Sequence, residues 1–216
     1  MYILEGNIGV GKSTFLSMIE QLLPSLPVVP EPVNSWNQQV HGQSLLAQFY
    51  AEPVRWAYTL ETFAMACRMR EHQKDEQRGL RNYIVERSIY SGHYCFAKND
   101  YLSGYMSEIE WQVYTQWAAV VTRQCAVPAG FIYLKASPET LLERIKKRAR
   151  AGEETISREY LEQIDARHDE FLIQKKDVAP AIAAVPVLVL DVNDNFEDSS
   201  ERWQELVQQV QQFTLS

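Results

Sequence analysis

Cysteine is scarce in this chain: Cys67, Cys95 and Cys125 are the three present in 216 residues, and no two form a CxxC pair. An odd number at wide spacing excludes a disulfide framework and a cysteine-built zinc site. Each is expected as a small core hydrophobe. A reducing compartment follows, the cytoplasm or, if a presequence has been removed, the mitochondrial matrix. Basic charge is also in deficit, with 21 Lys and Arg against 28 Asp and Glu and a net charge of −7. A protein that grips a nucleic-acid backbone carries a basic excess to replace counterions. Polymeric nucleic acid is therefore not expected as a partner, and a small molecule is. No apolar run is long enough to span a bilayer, so no membrane partner is expected either. The first apolar run starts at Tyr2, which leaves no room here for a signal or transit peptide. Internal repeats, low-complexity stretches and dividing linkers are missing too. One domain over residues 1–216 is expected, with a full core and little more.

What is present is an alternation of two periodicities. Short apolar runs bounded by turn residues read as strands: Tyr2 to Glu5, Val28-Val29, Asn82 to Glu86, Gly130 to Lys135 and Val187 to Asp191. Between them lie stretches with apolar residues at helical spacing. These are Lys12 to Leu23, Leu45 to Tyr50, Val54 to about Arg78, Ser107 to Cys125, a helix opened by Pro138, Ser157 to about Asp177, and Ser199 to Phe213. Proline at the start of a helix costs nothing, because its missing N–H has no partner there. Strand–helix alternation of this kind predicts an α/β fold, a five-stranded parallel sheet with helices on both faces. The segment Arg148 to Thr155 is charged, contains Gly152 and lies between two helices; it is expected to be the most mobile part, a short Arg-rich lid.

The strongest chemical signal is Gly6-Asn7-Ile8-Gly9-Val10-Gly11-Lys12-Ser13, which follows a strand and opens a helix. That is the P-loop pattern in its proper context. A loop that wraps a polyphosphate with backbone N–H groups cannot carry a Cβ at its tightest positions. Lys12 offers a point charge to the β- and γ-phosphates, and the Ser13 hydroxyl suits Mg²⁺. The helix N-terminus adds a favourable dipole. The expected chemistry is transfer of a nucleotide's terminal phosphoryl group. A guanine-nucleotide switch would need an Asn-Lys-x-Asp motif, which is missing, so a small-molecule kinase is the favoured class. Glu31 stands between Pro30 and Pro32 at the end of the second strand. A carboxylate held there can face the γ-phosphate across the carboxyl edge of the sheet; a solvated loop glutamate is the bland alternative.

Taken together, the motifs resemble the deoxynucleoside kinase family over nearly the whole chain. The resemblance rests on Ile3 to Ser13, on Glu31-Pro32-Val33 with Trp36, and on Tyr50 with Pro53-x-x-Trp56. It continues through Glu86-Arg87-Ser88-Ile89-Tyr90-Ser91, Tyr94-x-Phe96 and the lid Arg144-x3-Arg148-Ala149-Arg150. Glu159-Tyr160-Leu161 and Leu190-Asp191-Val192-Asn193 complete it. It implies Glu31 as general base toward a nucleoside 5′-hydroxyl, Arg87 holding that base and stabilising the transferring group, and Glu86 holding Mg²⁺ through water beside Ser13. ATP is the implied phosphoryl donor, bound by Gly6 to Thr14, by Arg144, Arg148 and Arg150, and by Asn195 and Phe196 at its base. A solvated helix face explains Arg144 equally well. The resemblance further implies Tyr50 and Glu153 on the sugar 3′-hydroxyl, with Glu154 as the neighbour that a loose alignment could exchange for Glu153. Trp36, Phe63 and Phe96 are the aromatic candidates for stacking on the base. A homodimer through the helices around Trp111, Tyr114 and Trp117 is implied as well.

Two positions depart from the family pattern. Glu61 stands where the family places a glutamine, and an ionised glutamate accepts hydrogen bonds but donates none. Arg68 keeps the family's arginine, but Gly92 replaces its acidic partner. Glu61 and Arg68, seven residues apart on one predicted helix, share a face. The expectation is that Glu61 pairs with Arg68 in place of the missing acid, and that Gly92 enlarges the pocket floor. Both features lean toward a purine or a broad base preference. Two other readings stay open at this point: a nucleoside monophosphate kinase, and a catalytically silent kinase-like subunit of an assembly.

Overall fold

The computed structural model describes residues 1–31, 44–80, 82–150, 153, 155–194 and 199–215. Five parallel strands form the sheet: β1 (Tyr2–Gly6), β2 (Val28–Val29), β3 (Ile84–Glu86), β4 (Gly130–Lys135) and β5 (Val187–Asp191). Their spatial order is β2-β3-β1-β4-β5. From β1 the chain runs to the edge strand β2, returns to β3 beside β1, and then crosses to β4 and β5 on the other side, so β1 flanks the point where the winding reverses. Ligands bind outside the carboxyl ends of the strands at such a point.

Alternation along the strands divides the core into two layers. Tyr2 and Leu4 of β1 with Ile132 and Leu134 of β4 face α1 (Lys12–Leu22) and the closing helix, whose Trp203 stacks on Phe15 at 6.4 Å. Ile3, Phe131 and Tyr133 face the opposite layer. That layer contains α2 (Leu45–Ala51), the long α3 (Pro53–Gln77) and α5 (Glu108–Arg123). Between α3 and α5 the chain folds as α4, three consecutive helical pieces, Ile89–Ser91, a wider π turn Gly92–Ala97, and Lys98–Leu102. The remaining helices are α6 (Pro138–Arg148), α7 (Arg158–His168, continued by a π turn Asp169–Ile173), α8 (Pro180–Ala183) and α9 (Ser200–Leu215).

Most expected elements are there, and the ends differ for local reasons. Ser107 is a cap rather than a helical residue: its hydroxyl accepts from Glu110 N–H while Glu110 reaches back to the Ser107 N–H, a capping box. The helix expected to run to Asp177 ends earlier, where Lys175 and Asp177 take positive φ. Helix α4 was not anticipated. Its π turn breaks the 3.6-residue periodicity by which a helix is read. Among the described residues, no helix is long and apolar enough to cross a membrane.

Candidate functional site

The loop from β1 to α1 closes on itself tightly. Gly6, Gly9 and Gly11 have φ of 148°, 81° and 96°. A Cβ on Gly6 would stand 2.6 Å from Leu134 O, and one on Gly9 2.9 Å from Leu141 O, so the requirement for glycine is steric as well as conformational. No side chain caps α1, which leaves its first N–H groups directed at the loop interior. Lys12 is buried and donates Nζ to Gly6 O at 3.2 Å and Asn7 O at 3.0 Å. Burial brings its ammonium down to about 7, helped by the neighbouring Arg87 charge; an anion in the loop would reverse that shift. The Asn7 side chain is used structurally, donating Nδ2 to Leu161 O at 2.8 Å and accepting from Ile8 N–H. Val10 is core. Thr14, Gly9, Lys12, Ser13, Arg148 and Arg150 border the open pocket above the loop.

Arg144 also borders that pocket, but its guanidinium is engaged elsewhere. It donates Nη1 to Val10 O at 3.2 Å, and Nη2 to Val192 O at 2.7 Å and Asp194 O at 2.9 Å. These bonds tie the loop to the segment after β5 while Arg144 keeps its place on the border of the pocket. Orphan carbonyls supply the reason, since a guanidinium with five donors satisfies several at once.

At the carboxyl ends of β2 and β3 stand the acidic and basic groups. Glu31 is gripped from two sides, by Arg68 Nη2 on Oε1 at 2.7 Å and Arg87 Nε on Oε2 at 3.1 Å. Burial pushes its carboxyl up, yet the Arg87 and Arg68 charges outweigh burial and hold it below the usual carboxylate range. Arg87 sits at φ 60°, an uncommon conformation for a non-glycine residue, immediately after β3. Its guanidinium carbon lies 4.5 Å from the centre of the Phe96 ring, a cation–π contact. Beneath, Glu5 is fully buried and accepts from Ser88 Oγ at 2.6 Å. Ser13 Oγ donates to both oxygens of Glu86 at 3.1 and 3.2 Å, and Glu31 N–H reaches Glu86 Oε2 at 3.4 Å.

The Ser13–Glu86 pair fits Mg²⁺: two hard oxygen ligands beside a polyphosphate loop leave the other positions for water and phosphate oxygens. Among the described residues there is no cluster of three or more carboxylate, imidazole or thiol groups that could form an all-protein metal cage, which Mg²⁺ with phosphates does not need.

A deeper cleft opens on the far side of Glu31, between α2, α3, α4 and the lid. Tyr50, Glu61, Arg68, Phe96 and Glu153 line it, as the sequence led one to expect, together with Ile8, Glu31 and Arg87, and Lys12, Ser13 and Glu86 border both this cleft and the phosphate pocket. Glu153 is buried and accepts from Arg148 Nη2 at 2.6 Å and Arg150 Nη1 at 3.3 Å. Its charge adds to burial in pushing the Tyr50 hydroxyl up, so that phenol stays a neutral donor. Trp36, Asn195, Phe196, Gly152 and Glu154 lie outside the described residues.

Three expectations for this end need correction. Arg68 pairs with Glu31 rather than with Glu61. Glu61 is buried, and its Oε2 has no hydrogen-bond partner. Gly92 does not enlarge the pocket floor: a Cβ there would meet Arg68 Nη1 at 2.7 Å, so the space left by the missing side chain is filled by the guanidinium. Phe63 is 44% exposed and does not line the cleft. On α3 it projects well away from the direction shared by Glu61, Ala64 and Arg68; Leu60, one turn before Ala64, lines the wall instead. Leu46, Phe49 and Tyr160 also line the cleft. Their apolar or helical context gave no signal that separates a cleft wall from core.

Comparison with known proteins agrees with this geometry. The family model described as deoxynucleoside kinase matches residues 2–215. The chain is 36% identical to the deoxycytidine kinase of Homo sapiens over 236 aligned residues, covering 97% of this chain and 89% of that protein. It is 34% identical to the mitochondrial deoxyguanosine kinase of Xenopus laevis, covering 97% and 88%. With the mitochondrial thymidine kinase 2 of Homo sapiens it shares 36% identity, covering 94% and 74%. The chain belongs to the deoxynucleoside kinase family.

Proposed function

We propose that this chain transfers the γ-phosphoryl group of ATP to the 5′-hydroxyl of a deoxynucleoside, with Mg²⁺, yielding the 5′-monophosphate. The observation that carries the reading is Glu31, a buried carboxylate clamped by Arg68 and Arg87 in the cleft, its N–H reaching Glu86, which also borders the phosphate pocket. A hydroxyl lying in the cleft can give its proton to Glu31 as it attacks. Glu31 is held ionised and is therefore a modest base. That suffices for a loose phosphoryl-transfer transition state, which needs orientation more than deep deprotonation. Arg87 moves charge toward the transferring group while it positions Glu31. Lys12 neutralises the β- and γ-phosphates. Mg²⁺, when held by Ser13 and by Glu86 through water, supplies charge neutralisation between those phosphates.

Tyr50 and Glu153 are placed to receive the sugar 3′-hydroxyl. Glu153 ties down Arg148 and Arg150 in the same contact, so the occupied sugar site and the phosphate-facing arginines are coupled. Phe96 supports Arg87 from below and presents its ring to the base. The acidic net charge of −7 supports a small acceptor rather than a polymer. Three free cysteines support a reducing compartment. Helix α5 exposes Ile109, Val113, Trp117 and Val120 along one stripe, which supports a homodimer through that face.

A panel of deoxynucleosides and their monophosphates with labelled ATP tests the reading, run beside E31Q. Turnover of nucleosides that collapses in E31Q is the expected result. Turnover confined to monophosphates, or full turnover in E31Q, would remove the mechanism.

A further inference from the structure

His168 ends helix α7, is fully buried, and is a titratable group that no step of the mechanism uses. Its ring is fixed on two sides. Nδ1 lies 2.8 Å from Ile164 O; a carbonyl only accepts, so Nδ1 carries the proton and Nε2 is left as a bare acceptor. Tyr133 of β4 stacks on the imidazole, with centroids 5.8 Å apart and planes within 9°. The Tyr133 hydroxyl in turn reaches Asp169 Oδ1 at 3.1 Å and Asp165 Oδ1 at 3.3 Å, and Lys135 Nζ donates to Asp169 Oδ1 at 2.6 Å. Burial, aided by the Arg87 charge, brings the imidazole down to about 3. At neutral pH it is an uncharged ring and not the partner of an ion pair.

Phe96 stands against this imidazole at 88°, with centroids 6.0 Å apart, an edge-to-face arrangement. The same phenyl ring lies 4.5 Å from the Arg87 guanidinium carbon. Arg87, Phe96, His168 and Tyr133 thus form an unbroken series of contacts from the clamp on Glu31 to strand β4. The two middle members sit at π turns, Phe96 within Gly92–Ala97 and His168 directly before Asp169–Ile173, and such turns are frequent at functional sites. Arg87 needs the support. It grips Glu31 through Nε, and among the described residues its Nη1 is buried without a hydrogen-bond partner. A flat guanidinium bonded along one edge can pivot about that bond, and an aromatic ring against its face stops the pivot. Helix α7 gives the series a firm base, because Asn7 Nδ2 donates to Leu161 O at 2.8 Å and so bonds the same helix to the phosphate loop. We propose that His168 is a positioning residue for the transfer reaction: its ring, fixed by Ile164 O and Tyr133, braces Phe96, and Phe96 holds the Arg87 guanidinium flat in its grip on Glu31. The inference rests on the kinase reading for the reaction it serves and on the ring contacts for the brace itself. A histidine that only filled the core would weaken folding and leave the chemistry of the folded protein unchanged.

The test is a double-mutant cycle of H168L and F96L, read as kcat and as KM for both substrates, with the deoxynucleoside that the panel shows to be turned over fastest. H168L is expected to lower kcat about tenfold, the worth of one aromatic contact, to raise the nucleoside KM, and to leave the ATP KM unchanged. F96L already contains that loss, so the double variant F96L/H168L is expected to be no slower than F96L. H168F, which keeps a ring and gives up the Nδ1 bond, is expected to stay within about threefold of the wild-type kcat. Effects that multiply in the double variant, an ATP KM that rises with the nucleoside KM, or H168F as slow as H168L overturns the proposal. Nitrogen NMR of the imidazoles in the wild-type protein needs no variant to fold. A His168 that keeps the Nδ1–H tautomer without titrating between about pH 5 and 8, and whose ring signals shift when the same nucleoside binds, supports the brace. The Nε2–H tautomer, a titration in that range, or signals indifferent to the nucleoside overturns it. A protein with the expected tautomer that phosphorylates no deoxynucleoside overturns the kinase reading and the positioning role with it, while the ring contacts stand.

Discussion

The two ends of the cleft are built in opposite ways. At the phosphate end, one continuous segment from Gly6 to Thr14 supplies nearly everything, and its groups are backbone N–H, one lysine and two hydroxyls. Its shape follows from three positive-φ glycines and from a strand that feeds directly into a helix. At the base end, residues from α2, α3, α4 and the lid come together, and the groups include charges buried against one another. Glu31, Glu61, Arg68 and Arg87 are all nearly closed off from solvent in their side chains or as whole residues. A site made of backbone in one segment tolerates change around it. A site made of opposed buried charges does not, because removing one partner leaves another uncompensated.

That contrast can be broken in order of severity. E31Q is expected to reduce kcat by about 10²–10⁴-fold, the range for a general base, with KM for ATP little changed; steady-state kinetics on both substrates measures it. S13A or E86Q, at the phosphate end, is expected to cost about 10²-fold in kcat and to raise the Mg²⁺ concentration needed for half-maximal rate. R68M leaves Glu31 with Arg87 alone. Glu31 must be ionised to act, and its pKa is held down in part by Arg68. Activity is lost as pH falls through that pKa, so the acid limb of the kcat profile should move to higher pH, by roughly one unit for one lost charge partner. An acid limb that stays in place would show that Arg68 does not hold the base.

G92A is a smaller perturbation. The atom it meets, Arg68 Nη1 at 2.7 Å, is the far end of a flexible side chain, which can yield. A several-fold rise in nucleoside KM with unchanged ATP KM is expected, and equal effects on both substrates would blur the distinction between the two ends. F63A should be nearly silent in turnover, since Phe63 stands outside the cleft; stability changes on exposed positions are usually within about 0.5 kcal/mol, readable as an unchanged melting curve.

Legibility followed the same divide. Strands β4 and β5 match the sequence reading at both ends, because each is a short apolar run bounded by turn residues. Glu31, Glu86 and Arg87 were legible because they stand at strand ends, where the sheet presents its ligands. Helix α4 was not, because Gly92 and the π turn mask its period. Phe63 was placed on the wrong face because a helix face is known from sequence only relative to its own axis, and what lies opposite is set by packing.

The sequence by itself determined the phosphate loop, the alternation that makes a parallel sheet, and the family to which the chain belongs, since all three are written in contiguous residues or in their order. Only the tertiary structure decided which partner each buried charge takes. Arg68 turned to Glu31 rather than Glu61, and its guanidinium filled the space over Gly92. Pairing of charges in a low-dielectric interior is settled by distances of a few ångströms between elements far apart in the chain, and those distances exist only once the helices have packed.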